Sequence, residues 1–330
     1  MSDLSVHVPE AVKSALKKYD RILIAAHTNP DGDAVGSSIA LAWLMSTLGH
    51  QVLLYNESGF PAYLAWMRKP APLVTDLERL PGKPQLIVAL DCGDRARLGE
   101  KIQPLLDEIP VLNIDHHLGN PNYGTAANWV EPGMSSTGEM VGHIAEAMDM
   151  PLEAGLGEAV YVALVSDTGS FSYGNTKAST LRMASRLLEG GLNLADIRAK
   201  LDNNWSVSKM RLWGRLMGEA QILDGGKLGV SIISRAVMDE FNASREDCEG
   251  FVEQLRRVKG VRVALLLKET EENGKVMTRV SLRSSGADDV RKVATQFGGG
   301  GHKNAAGATV DLSPEKTLTV IQPYIRHVWN

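Results

Sequence analysis

RILIAAHTNPDGDAVGSSIALAWLMSTLGH, residues 21–50, decides the fold. Arg21 to Ala26 is a short, continuously apolar run that stops at His27, as a strand buried on both faces does. Val35, Ile39, Leu41, Leu44, Met45 and Leu48 then recur at helical spacing, and Gly49 stands where a helix C-terminal cap belongs. Between them lies the polar turn His27-Thr-Asn-Pro-Asp31-Gly-Asp33. The same grammar returns downstream. Leu86 to Leu90 (LIVAL) ends at Asp91, and Val111 to Ile114 ends at Asp115. Helical patterns cover Thr137 to Ala147 and Leu156 to Val165. Strand and helix in alternation predict a doubly wound α/β domain on a mostly parallel sheet.

After Gly190-Gly191 the pattern changes. Leu192 to Ile222 reads as mostly helical. From Lys227 onward come a strand (LGVSIIS), a helix (REDCEGFVEQLRRV), and two β-like runs (VRVALLLKET and KVMTRVSLRS) joined across Asn273-Gly274, a hairpin pair. A glycine run, Gly298 to Gly301, follows. The expected organisation is an α/β domain over 1–190, a helical linker over 191–225, and a smaller α+β domain on a mixed sheet over 226–330. A chain of 330 residues is long enough for two cores.

Bulk composition narrows the function. The net charge of -4 does not suit a protein that grips long nucleic acid with its whole surface. Two cysteines, Cys92 and Cys248, make neither a disulfide framework nor a thiolate zinc site. The N-terminus lacks a signal-peptide core, and no apolar run approaches the ~20 residues that span a bilayer. The expectation is a cytoplasmic protein with no membrane role.

In an open parallel sheet, ligands bind beyond the carboxyl ends of the strands. His27, Asp31, Asp33, Asp91, Asp115, His116 and His117 follow such ends, and Asp167 follows an apolar helix. Singly, each is an ordinary turn or capping residue. Together they form a carboxylate-rich set with imidazoles, which suits Mg²⁺ or Mn²⁺. The set is large enough for two ions if one carboxylate bridges them. Two such ions a few ångströms apart stabilise a phosphoryl displacement.

His-x-x-Pro-Asp-x-Asp, a strand-ending Asp, Asp-His-His and a later Asp resemble the motifs of the DHH phosphoesterases. Gly298-Gly-Gly-Gly-His302-Lys-Asn-Ala-Ala-Gly307, with Arg283-Ser-Ser-Gly and Asp289-Val290 upstream, resembles the DHH-associated C-terminal domain. The likeness is strongest to the bacterial nanoRNase and pAp phosphatase group. It implies that His27, Asp31 and Asp91 hold one Mn²⁺, and that Asp33, Asp91, His116 and Asp167 hold the other. It implies that His117 faces the scissile phosphate and that Asp115 orients the histidines, which with Asp91 makes the catalytic set. It implies substrate binding by Arg283, Gly299, Gly300, Gly301 and His302. Glycines admit close approach of backbone N–H groups to phosphate, and Arg283 supplies a charged fork.

The resulting expectation is a two-metal hydrolase that degrades short oligoribonucleotides and dephosphorylates nucleoside 3′,5′-bisphosphates. The first domain cuts and the second grips the far end of a small substrate. The alternative is a phosphodiesterase for linear or cyclic dinucleotides such as pApA or cyclic di-AMP. Pyrophosphatase activity and a catalytically dead nucleotide sensor are weaker readings. Direction of attack and oligomeric state stay open, a homodimer included.

Overall fold

The computed structural model describes residues 6–203, 205–272 and 274–329. The chain divides into two compact units, residues 1–203 and 204–330. In the first unit the elements run α1 (Glu10–Lys18), β1 (Arg21–Ala26), α2 (Gly32–Thr47), β2 (Gln51–Tyr55), β3 (Leu73–Val74), β4 (Leu86–Leu90) and α3 (Gln103–Glu108). They continue with β5 (Val111–Asp115), β6 (Ala127–Val130), α4 (Thr137–Ala147), α5 (Ala154–Asp167), α6 (Ala178–Glu189) and α7 (Leu194–Asp202). The strand order is β3-β2-β1-β4-β5-β6, and every pairing is parallel. This is the doubly wound sheet expected. Strand order reverses between β1 and β4, which opens a crevice beyond their carboxyl ends.

The apolar runs explain the core. All five residues of β4 and of β5 are buried, so both sheet faces are covered. One face packs Ile22, Ile24, Val88 and Leu90 with α2, α4 and α5. The other packs Leu23, Ala25, Ile87 and Ala89 with Leu98, Ile102 and Leu106. Helix α2 is buried on most of its circumference, which removes the amphipathic stripe a surface helix shows.

The second unit runs α8 (Val207–Gly218), β7 (Gln221–Leu223), β8 (Leu228–Ile233), α9 (Arg235–Glu240), α10 (Phe251–Leu255), β9 (Val263–Glu272) and β10 (Lys275–Ser284). It ends with α11 (Arg291–Thr295), β11 (Gly300–His302), β12 (Ala305–Val310) and α12 (Pro314–Arg326). Its strand order is β11-β12-β10-β9-β8-β7, antiparallel apart from β8 with β9, so the sheet is mixed. One sheet face buries Val263, Leu265, Leu267, Val280 and Leu282 under α12, and the other buries Ala264 and Leu266 under α8 and α10.

Three local expectations need amendment. The single helix read over REDCEGFVEQLRRV is a short 3₁₀ turn, Glu246–Cys248, followed by α10. Gly250 separates them with φ of 86°, a conformation that halts a helix. The mostly helical stretch ends not at Ile222 but before it, since Ile222 belongs to β7. The glycine run, read without a secondary structure, is part turn and part strand: Gly300–His302 forms the edge strand β11 against β12. Of the expected hairpin pair, Gly274 has φ of 77°, and Asn273 lies outside the described residues. No helix among the described residues is long and apolar enough to cross a membrane.

Candidate metal centre

The turn after β1 delivers three acidic or imidazole groups for local reasons. Asp31 caps α2, its Oδ1 accepting the N–H groups of Asp33 and Ala34 at 3.1 Å. Its Oδ2 is thereby left on the crevice side, 3.8 Å from His27 Nε2. His27 Nδ1 lies 2.9 Å from the carbonyl of Thr28, which can only accept, so Nδ1 keeps its proton in either charge state and Nε2 is the atom that faces the crevice. Asp33 lies inside the first turn of α2 and is wholly buried.

Asp91 directly follows β4 with φ of 52°, a left-handed conformation costly for a residue other than glycine. Such strain is retained where the surroundings over-determine it, and here it aims the carboxylate into the crevice. Its Oδ2 lies 3.7 Å from His27 Nε2 and its Oδ1 lies 3.5 Å from His116 Nε2. His116 Nε2 also lies 3.6 Å from Asp33 Oδ2 and 3.0 Å from Asp167 Oδ2. Two ligand groupings result, His27–Asp31–Asp91 and Asp33–His116–Asp167, with Asp91 in reach of both. A third grouping joins Asp91, His116 and His117.

His117 and Asp115 stand beside these ligands. Asp115 Oδ1 accepts from His117 Nδ1 at 2.7 Å, and its Oδ2 accepts from Asn120 at 2.7 Å. Asp115 thus bonds His117 directly, while His116 turns its Nδ1 toward the Met134 carbonyl at 3.4 Å. Second-sphere bonds of this kind fix an imidazole's tautomer and direction.

The electrostatics call for a cation. Burial raises the Asp33 carboxyl well above its ordinary range, and the charges of Asp91 and Asp167 push it further. Burial and the neighbouring Asp31 and Asp91 raise Asp167 to about 6 against the bond from His116. Burial disfavours a charged His27, yet Asp31 and Asp91 prevail and raise it to about 9. Protons are thus drawn to a place where, among the described residues, no lysine or arginine lies within 4 Å of these carboxylates. Oxygen donors in majority with two imidazoles fit Mn²⁺ or Mg²⁺, and one or two divalent ions relieve the repulsion that protons relieve here.

The sequence Ser135-Ser136-Thr137 followed by Glu139 reads as a helix cap near the site, but its bonds to the ligands, and the parts played by Thr180 and Asn175, are not legible in the sequence. The start of α4 donates the N–H groups of Thr137 and Gly138 to Asp33, at 2.7 and 2.8 Å, and Thr137 Oγ1 donates to Asp91 at 3.2 Å. A helix N-terminus is a natural seat for a carboxylate. That start is itself anchored. Ser136 caps it, and the fully buried Glu139 accepts from the Ser135 N–H, the Ser135 hydroxyl and the Thr180 hydroxyl. Asn175 ties the carbonyls of Ser135 and Asp167 together at 3.0 and 3.1 Å. The Ser-Ser-Thr-x-Glu spacing signalled a capped helix, but no local signal marks Asn175.

In the second unit, β10 places Arg283 opposite Ala305 of β12. Its Nε donates to Glu253 at 2.6 Å and its Nη1 to the carbonyl of Leu282, so part of the fork is already engaged. Gly299 and Gly301 pack against the backbone of β12, where an added Cβ would lie 2.1 Å from the Gly307 oxygen or 2.5 Å from the Ala305 oxygen. A Cβ added at Gly300 would meet nothing within 4 Å, and the nearby His302 is exposed. The structure therefore assigns two of the glycines to strand packing, independently of any ligand.

A doubly wound sheet with a carboxylate–imidazole centre at its switch point defines a metal-binding α/β protein. The DHH family N-terminal domain matches residues 21–164 and the DHHA1 domain matches residues 225–323. The chain is 33% identical, over 92% of its length and 87% of the relative's, to the bifunctional oligoribonuclease and PAP phosphatase NrnA of Thermus thermophilus. It is 29% identical to the protein of that name from Mycoplasma pneumoniae, over 96% of this chain and 94% of the other. Among solved structures, an exopolyphosphatase-related protein from Bacteroides fragilis superposes with a TM-score of 0.88 at 25% identity, covering both chains completely. The chain belongs to the DHH family.

Proposed function

We propose that this protein is a divalent-metal phosphoesterase that hydrolyses short oligoribonucleotides and removes the 3′-phosphate of adenosine 3′,5′-bisphosphate. The observation that carries this reading is Asp91, held in a strained backbone conformation at the switch point and within reach of both ligand groupings. The names of the full-length relatives support the choice of substrates.

His27, Asp31 and Asp91 would hold one ion, and Asp33, Asp91, His116 and Asp167 the other, Mn²⁺ being preferred for the mixed donor set. Bound ions supply Lewis acidity to the phosphoryl group and to the attacking water. The chain's own residues do the rest. Asp115 holds His117 with its Nδ1 side engaged, which presents the opposite edge of the ring to a substrate phosphate. The N–H groups of Thr137 and Gly138 keep Asp33 in place in a water-poor setting, so little reorganisation accompanies the reaction. Arg283, with the backbone around Gly300 and His302, binds a substrate phosphate away from the cleaved one. The segments 1–190 and 226–330 serve as catalytic and substrate domains, joined by 191–225, which is helical up to the strand β7, in the cytoplasm.

The test is a substrate panel with Mn²⁺ containing RNA of two to about twenty residues, pApA, cyclic di-AMP, adenosine 3′,5′-bisphosphate and pyrophosphate. Turnover of two- to five-residue RNA and of the bisphosphate supports the proposal. Turnover of cyclic di-AMP alone would replace it with the dinucleotide-signalling reading.

A further inference from the structure

We propose that the sheet of the second unit carries an additional anion subsite, built by Lys268 and Arg279, that takes a backbone phosphate of an oligonucleotide bound at Arg283. This rests on the oligonucleotide reading above.

The register places Arg279 of β10 directly opposite Lys268 of β9 on one side and Thr309 of β12 on the other. Like charges directly opposite one another in an antiparallel pair are destabilising, and sheets normally set an opposite charge there. Among the described residues neither cation has an ion-pair partner within 4 Å. The nearby acids are used elsewhere: Glu269 accepts from the Arg235 N–H, and Glu271 pairs with the Arg235 guanidinium. Arg245 adds a further positive charge that acts on both, and Glu249 is the acid that partly offsets it. Arg279 is exposed and Lys268 half-buried, so an anion has access to both.

Position along the strand defines the ligand. Arg279, Ser281 and Arg283 alternate onto one face of β10, the face that Gly307 of β12 and Gly300 of β11 share through the register Ser281–Gly307–Gly300. Four residues of strand separate Arg279 from Arg283 by about 13 Å. A ligand touching both needs anionic groups that far apart. A ribonucleotide chain of several residues has them. A nucleoside 3′,5′-bisphosphate, one backbone repeat long, does not. On the β9 side this face is covered by α10 over Ala264 and Leu266, whereas on the β12 side Ser281, Thr309 and Gly307 keep it low and polar, which leaves the β10–β12 side for a backbone.

The experiment compares the whole wild-type chain with Arg279→Gln, Lys268→Gln and the rescue variant Arg279→Lys. The readouts are kcat and KM with Mn²⁺ for a five-residue RNA and for adenosine 3′,5′-bisphosphate. Binding of a hydrolysis-resistant phosphorothioate five-mer is followed across salt concentration. The subsite predicts a KM and a Kd for the five-mer raised about ten-fold by either Gln variant, with kcat held. It also predicts a salt slope reduced by about one, restoration by Arg279→Lys, and unchanged turnover of the bisphosphate. Equal effects on both substrates, or none on the five-mer, would overturn it. Failure of the wild type to turn over either substrate would defeat the proposed function instead. The subsite would then stand or fall on five-mer binding, where an unchanged salt slope in Arg279→Gln refutes it.

Discussion

Glu139→Gln is the most informative single substitution outside the ligand set. Glu139 is fully buried beneath the α4 N-terminus, and its Oε2 accepts from the Ser135 N–H, the Ser135 hydroxyl and Thr180. Its Oε1 lies 3.9 Å from His143 Nε2. Burial resists ionisation, yet the neighbouring His143 imidazole and the bonds from Ser135 lower its pKa from 4.5 to about 2. A shift of about 2.5 units corresponds to about 3 kcal/mol favouring the charged form. Glutamine keeps the shape and forfeits the charge, so about that much stability should be lost. For a unit near 200 residues this is a Tm shift on the order of 6–12 °C at neutral pH. Calorimetry of the whole chain reads it as a fall in the first unit's transition. The carboxylate stabilises fully above its ordinary 4.5, and that contribution fades as pH falls toward 2, so the gap to the variant should close in acid. His143, whose pKa is raised against burial by Glu139 and Glu146, stabilises below 6.5 and loses its share as pH rises through the raised value. A Tm within 1 °C of wild type at pH 7, or a gap undiminished at pH 3, would refute the assignment of a charged anchor.

Further outcomes follow from the same geometry. Asp115→Asn loosens His117 without removing a metal ligand, so kcat for short RNA should fall by about 10- to 100-fold while Mn²⁺ binding by calorimetry is retained. Arg283→Ala should raise KM for short RNA more than it lowers kcat, read from saturation curves, because its fork serves binding and not the reacting phosphate. Cys92 is buried, and burial lifts its thiol to about 12. It should resist a disulfide reagent in the native protein and react at once after denaturation.

The parallel sheet was legible because its central strands are buried on both faces. RILIAA, LIVAL and VLNI are unbroken apolar runs, and runs of that length admit little else. The flanking strands were not legible. Leu73–Val74 is two residues long, and Ala127–Val130 alternates buried with half-buried positions as an edge does. The break at Gly250 was hidden because α10 and the turn before it share one apolar pattern, and only the backbone conformation separates them. Among the candidate ligands, strand-end position drew attention to His27, Asp91 and His116. Asp33 and Asp167 needed the helices α2 and α5 to point at one place. Glu139 was visible as part of a helix cap, but its bond to Thr180 and that of Asn175 to Ser135 cross 41 and 40 positions of chain, a distance at which sequence carries no local trace. The Lys268–Arg279 juxtaposition likewise depends on β9–β10 register.

The central claim is that one strained carboxylate serves two metal groupings in a phosphoester hydrolase. Its most direct test is Mn²⁺ stoichiometry by calorimetry, with turnover of a three-residue RNA, for wild type beside Asp91→Asn. The account predicts two ions in the wild type, one or none in the variant, and a loss of several orders of magnitude in kcat. Full occupancy and undiminished turnover in Asp91→Asn would contradict it.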